Sequence, residues 1–174
     1  MRKYVLAIDP GNRESGICLI DSETYRPLWH GKVENESFLW ELKFNPEHPV
    51  RRYLAERSLH LAIEMVASYG MPVGREVFET CVWIGRFHEF FRDSYGAVSN
   101  LVYRRDEKLA ICHSPKANDA TIKQALVDRF APGLKNYGKG TKKEPGWFYG
   151  FAADQWQAYA VGVTFLDSLL LEGF

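Results

Sequence analysis

Two short apolar runs, YVLAID (4–9) and LHLAIE (59–64), constrain this chain more than any other feature, because each is nearly continuous and each ends in a carboxylate. Runs of this length and branching read as strands buried within an α/β sheet, and ligands collect at the carboxyl ends of such strands. The first run passes directly into Asp9, Pro10 and Gly11. Turn chemistry accounts for that triplet on its own terms, since Pro presets φ, Gly permits positive φ and Asp bonds its own backbone. A metal-ligand reading accounts for the acid. The two agree: Pro10 and Gly11 shape a turn that leaves Asp9 exposed at the strand end, and a sheet whose first and fourth strands are neighbours brings Asp9 to Glu64.

Residues 16–21 and 26–33 continue as strands separated by short turns, which predicts a three-stranded antiparallel meander with the first run. ESFLWEL and RRYLAERSL carry short helical patterns, a strand is expected near 100–104 and a short amphipathic piece through His113. A helix follows from about 118 to 130, with Asn118 or Asp119 as N-cap. The stretch 131–146, with four Gly, two Pro and four Lys, reads as a mobile basic loop over a binding surface. A last helix at about 152–171 turns Ala153, Trp156, Ala160, Val163 and Leu170 toward the core. Asp154 sits in its first turn, a position that favours an acid even without function.

The long helix at about 74–95 carries more apolar surface than one stripe. Val77, Cys81, Ile84, His88 and Phe91 share a face, Phe78 and Val82 flank it, and Trp83, Phe87 and Phe90 point roughly the other way. A central helix wrapped by its own chain is one solution. The favoured one packs one side on the sheet and offers Phe78, Val82, Trp83, Phe87 and Phe90 to a partner subunit.

At 174 residues and 46% hydrophobic, the chain suits one domain, 1–174, with a filled core. No apolar window is long enough to span a membrane, and MRKYVLAID enters a strand without a cleavage site, which predicts a cytoplasmic protein. Cys18, Cys81 and Cys112 are too far apart for a zinc or redox motif and read as reduced, buried thiols. Acids and bases balance at 22 each, yet residues 101–143 hold ten Lys or Arg against four acids. Such a run is commonly a solvated face; it is also the footprint of a nucleic-acid surface.

With Asp154 approaching from the terminal helix, three carboxylates would share one site. Clustered carboxylates repel unless a cation sits among them, and Mg²⁺ or Mn²⁺ prefers such hard oxygen ligands. Two such ions activate a water and stabilise the leaving oxygen of a phosphodiester.

LAIDPGNRESGICLID, LAIEMVASYGM and FAADQWQAYAVGV, in that order, resemble the strand-1, strand-4 and terminal-helix motifs of the RuvC-type Holliday-junction resolvases of the ribonuclease H-like superfamily. The resemblance spans most of the chain, and a compact chain suits a phage-type member acting in the host cytoplasm. It implies an α/β ribonuclease H-like fold: a five-stranded mixed sheet of order 3-2-1-4-5, strand 2 antiparallel, with helices on both faces. It also implies metal-ligand roles for Asp9, Glu64 and Asp154, and a homodimer that nicks four-way DNA junctions symmetrically, leaving 3′-hydroxyl and 5′-phosphate ends. Tyr69, with Met71 beside it, becomes a candidate to stack on or wedge between bases, and composition fits a core or loop-packing tyrosine equally well. Arg104, Arg105, Lys116, Lys123, Lys139, Lys142 and Lys143 become candidates for phosphate contacts.

One position departs from the family pattern. A further Asp or His usually stands three residues before the last acid, and here that residue is Phe151. Three carboxylates with waters and DNA phosphates then suffice, or a residue such as Glu144 or His113 substitutes, or the site is weakened. The alternatives to a resolvase are an inactive junction-binding module and a ribonuclease H-like nuclease acting on other branched DNA.

Overall fold

The computed structural model describes residues 3–55, 59–68, 70 and 72–171. Strands β1 (Tyr4–Asp9), β2 (Glu14–Asp21) and β3 (Pro27–Glu34) form the meander, and β4 (Leu59–Met65) and β5 (Ser99–Tyr103) extend it. The five-stranded sheet has the order β3-β2-β1-β4-β5, with β2 antiparallel to both neighbours and β1, β4 and β5 parallel. Helices α1 (Asn35–Phe44), α2 (Arg51–Ala55), α3 (Arg75–Tyr95), α4 (Arg104–Cys112), α5 (Asp119–Phe130) and α6 (Ala153–Leu171) complete the fold. Among the described residues, no helix is long and apolar enough to cross a membrane.

Alternation along the strands divides the core in two. Leu6, Ile8, Ile17, Leu19, Leu61 and Ile63 face α1, α2 and α3. Val5, Ala7, Cys18, Ile20 and Ala62 face α5 and α6. The second set is smaller, so α6 lies close to the sheet: a Cβ on its Gly162 would stand 2.3 Å from Ile20 Cδ1 and 3.0 Å from Ala7 Cβ. Residues 155–163 of α6 are almost all buried, which makes it the central helix. Ala153 and Leu170, expected in that core, are exposed at the helix ends.

Helix α3 buries a face rotated from the one expected: Ile84 and Phe91 lie on it as expected, while Val77, Cys81 and His88 are only partly buried. Its buried stripe runs through Thr80, Ile84, Phe87 and Phe91, one face at helical spacing. Phe87 is therefore a core residue with no surface left for a partner. Phe78 and Val82 are 61% and 62% exposed, while Trp83 and Phe90 are half-buried. Of the cysteines, Cys18 is buried and Cys81 and Cys112 are partly so; all are free thiols.

The stretch 131–146 is tied down. Gly146 N–H donates to the Lys139 carbonyl, Thr141 N–H to that of Glu144 and Phe148 N–H to that of Gly138. Trp147 stacks on Phe130 at 5.3 Å, and Phe148 is fully buried. Composition pointed to a loose loop because Gly and Lys say nothing of the aromatic anchors that follow them.

Candidate active site

Parallel pairing of β1 with β4 sets Ile8 beside Ile63, and Asp9 and Glu64 follow as the next residue of each strand. Their carboxyl groups lie close enough across the sheet end for each charge to be felt by the other. The turn beyond Asp9 is clamped from beneath: Ser15 Oγ, buried, donates to Asn35 Oδ1 at 2.7 Å, and Asn35 Nδ2 donates to the Gly11 carbonyl at 3.0 Å. A buried hydrogen-bonded pair of this kind holds the turn, and so the aim of Asp9, in one geometry.

Asp154 arrives on the first turn of α6. It comes near because Asp9 pairs in register with Gly16 of β2, and a Cβ on Gly16 would lie 2.2 Å from the Asp154 carbonyl oxygen. Its charge reaches Asp9, but its carboxylate accepts from Lys32 Nζ at 3.0 Å, and Lys32 also meets Glu14 at 3.2 Å. Lys32, on the edge strand β3, had no motif to mark it.

Glu107 was also missed. On α4 its side chain is fully buried, and Oε2 accepts from Arg104 Nη1 at 2.6 Å. Flanked by Asp106 and Lys108 in RRDEKL, it reads as part of a solvated charge run; the one signal was its helical spacing to Ile111, which packs on the core. Arg104 further donates to Gln157 of α6 at 2.7 Å and to Asp119 of α5, so its guanidinium joins three helices beside the acids.

Electrostatics follow from this crowding. Burial first, then the charge and hydrogen bond of Glu64, push the Asp9 carboxyl up to about 8. Burial and the charge of Glu64 raise Glu107 to about 9, with Arg104 pulling the other way. The donor set is all hard oxygen, and its crowded carboxyls hold their protons where a cation would let them ionise, so it fits Mg²⁺ or Mn²⁺. Among the described residues, no three acids, histidines or cysteines already close on one point. Asp154 would have to leave Lys32 to join Asp9 and Glu64.

Phe151 is fully buried, packed on His30 at 4.4 Å and on Phe148, Trp156 and Tyr159. It closes an aromatic core at the entry to α6. Glu144 and His113, the suggested substitutes, are both exposed.

The basic candidates divide. Arg105, Lys116, Lys142 and Lys143 are exposed. Lys123 lies over the rings of Tyr137 at 3.5 Å and Trp156 at 5.3 Å, and with Lys139 it lines a hollow beside Asp119, Phe151 and Gln157. Arg104 is turned inward. Tyr69 and Met71 lie outside the described residues.

Solved structures share this architecture. A structure of Thermus thermophilus RuvC aligns with a TM-score of 0.64 at 16% identity, covering 97% of this chain and 96% of that one. The fold is that of RuvC. T. thermophilus RuvC in complex with a Holliday junction substrate aligns with a TM-score of 0.61 at 14% identity, covering 97% of this chain and 95% of RuvC. No protein-family model and no curated protein matches the sequence. At this identity the likeness to RuvC establishes the architecture, the five-stranded mixed sheet with helices on both faces, and leaves chemistry to the site.

Proposed function

We propose that the chain is a single-domain, divalent-metal-dependent endonuclease that resolves four-way DNA junctions by paired nicks from a homodimer. The observation that carries this reading is the Asp9–Glu64 pair at adjacent strand ends, with Asp154 near enough for its charge to reach Asp9, on a fold shared with a RuvC solved on a Holliday junction substrate. Asp9, Glu64 and Asp154 would hold one or two Mg²⁺ or Mn²⁺ ions, whose chemistry is to acidify a water and stabilise charge on the leaving oxygen of a phosphodiester.

The chain's own residues do the rest. Asp9 is aimed by the Ser15–Asn35 clamp, and Asp154 by the Gly16 contact. Arg105 and Lys108 line a hollow with Arg104, and Lys123 and Lys139 line the hollow at the start of α6, so both hollows carry positive charge. These are sites for backbone phosphates, which supply affinity without sequence readout. Phe78 and Val82 leave an apolar face on α3 for the second subunit.

The test is cleavage of a labelled four-way junction in Mg²⁺ and Mn²⁺ beside Asp9→Asn, with binding measured separately in Ca²⁺. Symmetric nicks lost in the variant are expected. Tight binding without nicks would leave a junction-binding module, and preference for forks or flaps would move the substrate to other branched DNA.

A further inference from the structure

Glu107 presents a buried carboxylate of which one half is accounted for. Oε2 accepts from Arg104, while Oε1 is buried and has no hydrogen-bond partner among the described residues. Its side chain is 0% exposed, and its charge and those of Glu64 and Asp9 act on one another. Arg104, the cation at hand, also serves Asp119 and Gln157. A buried carboxylate oxygen without a donor is costly, and such groups call for an ion or a functional account. Anchoring Arg104 explains Oε2 and leaves Oε1 unexplained.

The start of α6 offers Asp154 and no second acid, because position 151 is occupied by a phenylalanine sealed in the aromatic core. Helix α4 packs against α6, and it sets Glu107 close enough to Glu64 and Asp9 for both their charges to act on its carboxyl, although the three do not yet close on one point. We propose that Glu107 is a further carboxylate ligand of the divalent-cation site, with Oε1 as the oxygen held for the ion. This rests on reading Asp9 and Glu64 as that site.

The experiment is Mn²⁺ binding by titration calorimetry on the full chain, without DNA, for the wild type, Asp9→Asn, Glu107→Gln and Glu107→Leu, with metal-free melting recorded for each. Gln keeps an oxygen to accept from Arg104, and Leu removes polarity altogether, so one or both variants keep the fold. Either substitution is expected to weaken Mn²⁺ binding by about tenfold or more, the scale that ligand-shell changes produce. A folded Glu107 variant that binds Mn²⁺ within about twofold of the wild type, while Asp9→Asn does not bind, overturns the proposal and leaves the Asp9–Glu64 site standing. Wild-type-like binding by Asp9→Asn, or no binding by the wild type, overturns the site reading and this inference with it.

Discussion

Where Gly162 lets the middle of α6 lie close to the sheet, Gly16 lets its first turn approach β2. With the Asp154 carbonyl 2.2 Å from where a Cβ would stand, Gly16→Ala must push the start of α6 off β2, and backbone is what it meets. Overpacking of this kind costs about 1–3 kcal/mol. We expect Gly16→Ala to melt lower and to lose junction cleavage by more than its stability loss accounts for, because Asp154 moves with the helix. A variant that melts lower but cleaves normally would show that Asp154 does not depend on this contact. Lys32→Ala asks a complementary question at the same carboxylate: freed of its salt bridge, Asp154 is expected to bind Mn²⁺ no worse than before, as calorimetry would read.

Helix α3 divides its aromatic and aliphatic residues between two jobs. Phe87, fully buried against the sheet, belongs to the core, and Phe87→Ala should cost about 3–5 kcal/mol in chemical denaturation. Val82 is 62% exposed, and Val82→Glu should change monomer stability by no more than about 0.5 kcal/mol. If the α3 face is the dimer contact, that same substitution shifts the chain to monomer in sedimentation equilibrium. A wild type that is monomeric at all concentrations would remove the dimer from the proposed function.

For the whole molecule, the acid cluster couples folding to pH. The carboxyls of Asp9, at about 8, and Glu107, at about 9, lie above their unfolded values of 3.8 and 4.5, so the folded chain keeps protons that the unfolded chain has released. The stability this contributes is full below the unfolded values and is lost as pH rises through the folded ones. Burial lowers His30 below its ordinary 6.5, which works the other way, but only beneath that pH. Between pH 6.5 and 9, metal-free protein should therefore melt progressively lower, by at least about 3 °C, the shift that about 1 kcal/mol produces in a chain of this length. Asp9→Asn should flatten the slope, and Mg²⁺ should raise the melting temperature most at the alkaline end. A flat wild-type profile would show that the acids are already compensated.

Much of the fold was legible in the sequence because it rests on local signals. Apolar runs with turn residues between them placed β1, β4 and the meander, and caps and periodicity placed α3, α5 and α6 to within a residue or two. The two strand-end acids were visible for the same reason, since a carboxylate ending a buried run is a local anomaly. Tertiary structure alone decided the rest. α3 carries apolar residues beyond one stripe, so periodicity could not say that Phe87 faces the sheet; the placement of α1 and β4 did. Glu107 sits in a run of charges like any solvated acid, and it is buried because α4 is pressed against α6. Phe151 and Lys32 depend on partners far away in sequence, His30 for one and Asp154 for the other. Burial and charge pairing are properties of what packs where, and a chain's own order records them only when the partners are neighbours.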